Sequence, residues 1–465
     1  MNKIKTNVFG FDELTHGGIP EYSTIVITGS PGSGKTTLSF EIAFNLAKEG
    51  KRSLIISTIS EPLPKMIRFM SSYDFFERDL IGKRVFFVDM SDLIQKGSSE
   101  KALAFIEENI KRIKPDLLVI DSFRSLTENL FESKKEKRRF VYTLSLKLSI
   151  WQITTLLVGE YSISEISEEV EFAVADGIIH LFGTEEEELQ KRYIQILKLR
   201  GSSFEKGKQY FEITEKGIKV YLRLRADVEK ISYGFSKKQI KTGIKDLDRM
   251  LGGGIRSETI TLISGPTGSG KTILTLKFAE SYLSSDKGHK FLFFSFEESP
   301  DWLIRYAERL GIRIGSFIDE GRIKFIFLSP VELDLDYFSF RIMDEIRRFG
   351  KETGIAIDSI TSFRYSQRDD IRYREILWEI MNYLRYNGNT AIITYEEEDQ
   401  KNLTEMRIPV LADNIICLRY YEDPPYIRKV LTVMKMRGKD HSKEIREFDI
   451  VEGEGIVIKD PVSMR

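Results

Sequence analysis

The chain alternates short, wholly apolar runs with longer segments whose apolar residues recur every few positions. Ile25-Val26-Ile27 leads into a segment that carries Leu38, Ile42 and Leu46, the pattern of a strand followed by a helix with one buried face. Further apolar runs stand at Leu54-Ile55-Ile56, Leu117-Leu118-Val119-Ile120 and Leu156-Leu157-Val158. Runs this short without polar alternation predict strands covered on both faces, hence an α/β arrangement around a largely parallel sheet. The second half repeats the pattern with Ile260-Thr261-Leu262-Ile263, Phe291 to Phe296, Ile355-Ala356-Ile357 and Ala391-Ile392-Ile393. Each half then closes on the signature of an antiparallel hairpin. Ile178 to Leu181 turns through Glu185 to Glu188 and returns as Tyr193 to Leu199. Ile415 to Tyr420 turns at Glu422-Asp423-Pro424-Pro425 and returns as Val430 to Lys435.

The repetition extends to single residues. Gly29-Ser30-Pro31-Gly32-Ser33-Gly34-Lys35-Thr36 recurs 236 residues later as Gly265-Pro266-Thr267-Gly268-Ser269-Gly270-Lys271-Thr272. Ile120-Asp121-Ser122-Phe123 recurs at an offset of 237 as Ile357-Asp358-Ser359-Ile360, and Lys198-Leu199-Arg200-Gly201 as Lys435-Met436-Arg437-Gly438. Three landmarks in one order at nearly one offset identify a tandem duplication. Its two domains are expected at residues 1–230 and 231–465, with the boundary in the polar stretch 226–241. The length of 465 residues suits two domains.

Composition narrows the function classes. Lys plus Arg is 70 and Asp plus Glu is 71, a net charge of −1, which offers no bulk attraction to nucleic acid or anionic lipid. DNA is therefore not expected as the main ligand, nor a membrane as a partner. Cys417 is the only cysteine, so neither an intrachain disulfide nor a cysteine-based zinc cluster can form. With no run of about 18 apolar residues and no apolar signal core after Met1, the expected compartment is the cytoplasm.

Gly-x-x-x-x-Gly-Lys-Thr between a strand and a helix is the Walker A pattern, in which backbone N–H groups and the helix N-terminus converge on phosphate oxygens. Gly29 to Thr36 with Thr37, and Gly265 to Thr272 with Ile273, are thus candidate ATP or ADP cradles. Lys35 and Lys271 would reach the outer phosphates, and the Thr36 and Thr272 hydroxyls would bind Mg²⁺. Asp121 and Asp358 each end an apolar strand, the position from which an acid holds Mg²⁺ directly or through water.

Hydrolysis requires a group that orients and deprotonates water, a carboxylate in RecA-like enzymes. The second copy offers Glu297-Glu298 directly after its second strand. Aligned from the strand, Ile59 and Ser60 face these acids; aligned from the following helix, with Arg68 opposite Arg305, Glu61 falls opposite Glu298. Either way the first site is poorer in acids, so the second is expected to be the better hydrolytic site. Residues two apart on a strand share a face, so Lys198 projects with Arg200 and Lys435 with Arg437. Such pairs could neutralise a triphosphate bound by a neighbouring domain, and arginine supplied in trans is worth roughly 10³ to 10⁵ in rate.

The sequence resembles the KaiC-like family, in particular its archaeal-type double-domain RecA-like ATPases. The likeness runs from Gly10-Phe11-Asp12-Glu13-Leu14 and His16-Gly17-Gly18-Ile19-Pro20 to Gly455. It is most specific at Ile196 to Ser202, at Lys435 to Gly438 and at Ile445-Arg446-Glu447-Phe448, and the Glu297-Glu298 pair matches the family's catalytic carboxylates. The resemblance implies two tandem RecA-like P-loop domains, a homohexameric double ring, nucleotide at subunit interfaces and the Lys/Arg pairs acting in trans. It also implies a regulatory ATPase whose nucleotide state is read by a protein partner. Where the family's clock protein carries adjacent Ser and Thr autophosphorylation sites, this chain has Pro409 and Val410. Autokinase activity is not expected there; Thr404 is a remote candidate. The competing readings are a RecA/RadA-like DNA motor, opposed by the neutral charge, and a nucleotide-stabilised scaffold, opposed by Glu297-Glu298.

Overall fold

The computed structural model describes residues 2–58, 63–96, 98–186, 189–223, 238–329, 335–350, 353–365, 370–397 and 411–462. The chain divides into two compact units, Met1–Leu222 and Arg223–Arg465. The stretch 226–241, where the boundary is expected, falls mostly outside the described residues.

Among the described residues, each unit is built on a nine-stranded sheet. In the first, six parallel strands run in the spatial order 177–186, 24–29, 154–159, 117–121, 53–57 and 85–89. Three antiparallel strands, 189–199, 208–214 and 217–221, extend the sheet beyond 177–186. The second unit repeats this order with 414–423, 260–265, 391–396, 354–358, 291–295 and 323–327, followed on the other side by 426–436, 446–451 and 455–461. The tandem RecA-like architecture is therefore present in both copies.

The uninterrupted apolar runs are explained by two-sided burial. On the strand Thr24–Gly29, Ile25 and Ile27 join one core layer, which also holds Ile42 and Leu46 of the helix Lys35–Lys48. Val26 faces the opposite layer with Leu118 and Ile120. Alternate residues of one strand thus feed two cores, which is why its apolar run lacks the polar alternation of a strand with one solvated face. In the second unit Ile263 and Leu262 divide in the same way.

Several strands exceed the sequence expectation. The hairpin arms reach Gly177–Glu186 and Leu189–Leu199 in the first unit, Asn414–Asp423 and Tyr426–Met436 in the second. The edge strands 85–89 and 323–327 and the last two strands of each unit carry mixed buried and half-exposed positions, a weaker signal than a continuous apolar run.

In the first unit the closing strand is tied to the helix Lys35–Lys48. Glu41 is 4% exposed and its Oε2 accepts from the Ile218 N–H at 2.8 Å. Gly217 adopts φ +95°, and a Cβ there would stand 2.4 Å from the Glu41 carboxyl. Burial raises the Glu41 pKa to about 7, against the Ile218 hydrogen bond and Lys48. A folded-state acid with a raised pKa loses stability as pH climbs from its ordinary value through about 7. Glu41→Gln keeps an acceptor for Ile218 and removes this loss. Its melting temperature relative to the natural protein should rise between pH 5 and pH 8, on a scale of about 2–4 °C per kcal/mol for a unit of this size.

Candidate nucleotide-binding sites

Each glycine loop stands at the carboxyl end of the central strand of its sheet and opens a helix at Lys35 or Lys271. The turn uses backbone conformations that favour glycine: Gly34 and Gly270 cap the helices at φ +97° and +105°. The loop lysines fold back over their own turns. Lys35 Nζ donates to Gly29 O at 3.1 Å and Ser30 O at 2.8 Å, and Lys271 Nζ to Gly265 O and Pro266 O, both at 2.9 Å. Both lysines are buried. Burial lowers both pKa values, opposed by Glu160 and Asp121 around Lys35 and by Glu396, Asp358, Glu297 and Glu397 around Lys271.

Asp121 and Asp358 close the adjacent pair of strands at the same edge. Thr36 Oγ1 donates to Asp121 Oδ2 at 2.7 Å. Asp358 accepts from Thr394 and is held by the Thr272 hydroxyl, yet burial, with Glu297 adding to it, raises its pKa. A hydroxyl and a carboxylate converging beside a phosphate loop form a hard-oxygen donor set that fits Mg²⁺, and the buried Asp358 carboxyl is a place where a cation would offset the cost of charge.

Glu297 and Glu298 line the second pocket with Lys271, Thr272 and Asp358. The segment is anchored through Ser295, whose hydroxyl donates to Glu298 O at 2.7 Å and accepts from Glu298 N at 3.3 Å. Ser299 then caps the helix Pro300–Arg309 by accepting from Trp302 N. Burial, then Asp358 and Glu297, raise the Glu298 pKa to about 7. In the first unit Thr58 N bonds Asp121 O as Phe296 N bonds Asp358 O, so the strands correspond up to that point. Ile59, Ser60 and Glu61 lie outside the described residues, as do Thr404, Pro409 and Val410.

The two Lys/Arg pairs are not brought to the loops of their own units. Gly177 pairs with Ile25 at the start of the central strand, and Leu199 pairs with Gly177. Lys198 and Arg200 therefore lie at the opposite edge from the loop beginning at Gly29, about 13 Å away along the strand from four residues at about 3.3 Å each. The second unit repeats this: Lys435 pairs with Ile415 beside the start of Ile260–Gly265. At that edge Lys198 Nζ donates to Phe172 O at 3.3 Å and Lys435 Nζ to Ala412 O at 2.7 Å. Arg200 lies 3.7 Å from Asp176, and Arg437 3.1 Å from Asp413. Burial, then the neighbouring arginine, lowers the pKa of each lysine.

Other residues reach the pockets without having been singled out in the sequence. Glu160 and Glu396 stand at the carboxyl ends of the strands beside the central one and line the first and second pocket; Glu160 Oε1 stands 3.8 Å from Lys35 Nζ. Their signal was a second acid recurring at an offset of 236. Lys429 Nζ donates to Gly268 O at 3.0 Å and the Tyr420 hydroxyl to Thr267 O at 3.0 Å. They sit across the hairpin from each other, and the first copy pairs Gly183 with Arg192 in that register, so a cation recurs there but the tyrosine does not. Arg124 lines the first pocket, clasped by Glu128 at 2.7 Å and Glu165 at 3.0 Å, where the second copy has Thr361.

The family model for the KaiC ATPase matches the chain twice, over residues 4–225 and 240–463. The circadian clock oscillator protein KaiC of Picosynechococcus sp. is 28% identical over 99% of this chain and 90% of its own length. That of Rippkaea orientalis is 29% identical over 99% and 89%. The circadian clock protein KaiC3 of Synechocystis sp. is 30% identical over 97% and 90%. Among the described residues, no helix is long and apolar enough to cross a membrane.

The loops should tolerate a methyl group very unevenly. A Cβ on Gly29, at φ +151°, would stand 1.8 Å from Leu181 O, whereas one on Gly32, at φ +70°, meets nothing within 4 Å. Gly32→Ala should cost about 1–2 kcal/mol of left-handed strain. Gly29→Ala should cost several-fold more, read as a much larger fall in the first unit's denaturation midpoint.

Proposed function

Because the chain belongs to the KaiC family of ATPases, we propose that it is a cytoplasmic, homohexameric regulatory ATPase with nucleotide bound at subunit interfaces. Residues 1–230 and 231–465 form its two ATPase domains, and its nucleotide state is read by a protein partner. The observation that carries the reading is the placement of Lys198 with Arg200, and of Lys435 with Arg437, at the sheet edge away from the loops of their own units. A cation pair duplicated in register and out of reach of its own phosphate loop is explained by a neighbouring chain that needs it.

Gly29 to Thr37 and Gly265 to Ile273 cradle the triphosphate, with Lys35 and Lys271 neutralising it. Thr36 with Asp121, and Thr272 with Asp358, would hold Mg²⁺, which supplies charge neutralisation on the phosphate oxygens when bound. In the second domain Glu297 and Glu298 orient water and accept its proton as the oxygen attacks the outer phosphorus. The bond to the bridging oxygen breaks, and ADP and phosphate leave. Lys435 and Arg437 of the next chain stabilise the charge that develops. The first domain binds ATP with Glu61 as its nearest acid in the sequence, assisted by Lys198 and Arg200 in trans, and turns it over more slowly. The crowd of acids around Lys271, set against the clasped Arg124 in the first pocket, supports this asymmetry.

Glu297→Gln should abolish most ATP turnover, about 10²-fold at the second site, while Lys35→Ala leaves the larger share. Full activity in Glu297→Gln would refute the assignment. Trans action is tested by mixing Glu297→Gln chains with chains carrying Lys435→Ala and Arg437→Ala before assembly. Each parent should lack second-site turnover, and about a quarter of the heterologous interfaces in a random equal mixture should recover it. No recovery would show that the cations do not act across chains.

A further inference from the structure

We propose that Ser362 is a positioning residue of the second site, whose hydroxyl holds the Glu297 carboxylate in the orientation that meets the attacking water. The inference rests on the role of Glu297 given above and deepens it. Ser362 Oγ donates to Glu297 Oε1 at 2.6 Å, and Ser362 is 2% exposed. Glu297 lines the pocket and Ser362 does not, so the serine grips one oxygen of the carboxylate from outside the cavity lining.

The serine is itself fixed. The turn after Asp358 is pinned to the neighbouring strand by Ile360 N to Thr394 O at 3.1 Å and by Glu396 N to Thr361 Oγ1 at 2.7 Å. The buried Tyr373 hydroxyl donates to Ile360 O at 2.9 Å, and Ser362 N closes the turn onto Ser359 O at 3.3 Å. A hydroxyl on so constrained a backbone has little freedom, and a carboxylate bound to it inherits that restriction. Glu298 differs: its backbone is held by Ser295, but its buried Oε2 has no hydrogen-bond partner among the described residues. Of two adjacent acids, one is oriented by a side-chain bond and one is not. Orientation of water then falls to Glu297, because a group that must place an atom to a fraction of an ångström is effective only when its own rotamer is held.

The test is ATP turnover by the full chain carrying Ser362→Ala, Ser362→Thr, Glu297→Gln, or Ser362→Ala together with Glu297→Gln. ATP KM and melting temperature are followed in each. Ser362→Ala should lower kcat roughly ten- to hundredfold within the share that Glu297→Gln removes, with KM unchanged. Ser362→Thr should restore most of it, and the double variant should be no slower than Glu297→Gln alone. Undiminished kcat in Ser362→Ala, a loss that adds to that of Glu297→Gln, or a raised KM as the main effect would overturn the proposal. Full turnover in Glu297→Gln would instead remove the reading beneath it. If Ser362→Ala does not fold, Ser362→Cys, similar in size and a weak donor, takes its place with the same criteria.

Discussion

A hairpin returns a chain to the edge it came from, and this constraint organises both units. The strand beside the central one runs parallel to it, so it begins at the edge opposite the phosphate loop, and its antiparallel partner must end there. Whatever the last residues of that partner carry is denied to the loop of the same unit, whatever rotamers they adopt. The Lys198–Arg200 and Lys435–Arg437 pairs ride on those residues. They are anchored by Asp176 and Asp413, whose carboxylates also accept from the first N–H of the central strands, at 3.1 Å to Thr24 and 3.0 Å to Ile260. One aspartate thus holds both the start of the strand that bears the loop and the cation that cannot reach it. That geometry is the ground on which completion of each site by a neighbouring chain is proposed.

At the loop edge, the governing quantity is the cost of burying charge. Lys271 is desolvated among Glu396, Asp358, Glu297 and Glu397, and its pKa falls while those of Asp358 and Glu298 rise. Opposite shifts in acids and base around one pocket mean that each group is poorly solvated and that the protein alone does not fully compensate it. The first pocket resolves the same problem differently. Arg124 lies over Tyr161 at 5.0 Å and is held by Glu128 and Glu165, so a fixed cation stands where the second unit has Thr361. The two pockets share a glycine loop and differ in the charge of the side chains that line them.

Much of this was legible in the chain. The glycine loops, Asp121 and Asp358 are strings of neighbouring residues whose chemistry depends on local backbone, and their recurrence at nearly one offset identified the duplication. Glu160 and Glu396 were missed although they recur, because a single acid after an apolar run is common and only strand order places it beside the loop lysine. Tyr420 and Lys429 were missed for a different reason: the first copy has Gly183 and Arg192 in that register, so the tyrosine has no counterpart and a single recurring cation on a strand is common. The edge strands 85–89 and 323–327 have mixed burial, and mixed burial blurs the period on which strand recognition rests.

By itself the sequence determined two copies of an α/β unit, each with a phosphate loop between a strand and a helix, since these are features of contiguous residues and of short-range sterics. Tertiary structure decided which side chains meet. Sheet order sets the strand ending in Asp121 between those ending in Ser57 and Gly159, and places Ser362 against Glu297 across 65 residues of chain. Such encounters depend on strand order and register, which are settled by the packing of whole layers and leave no trace in any short stretch of residues.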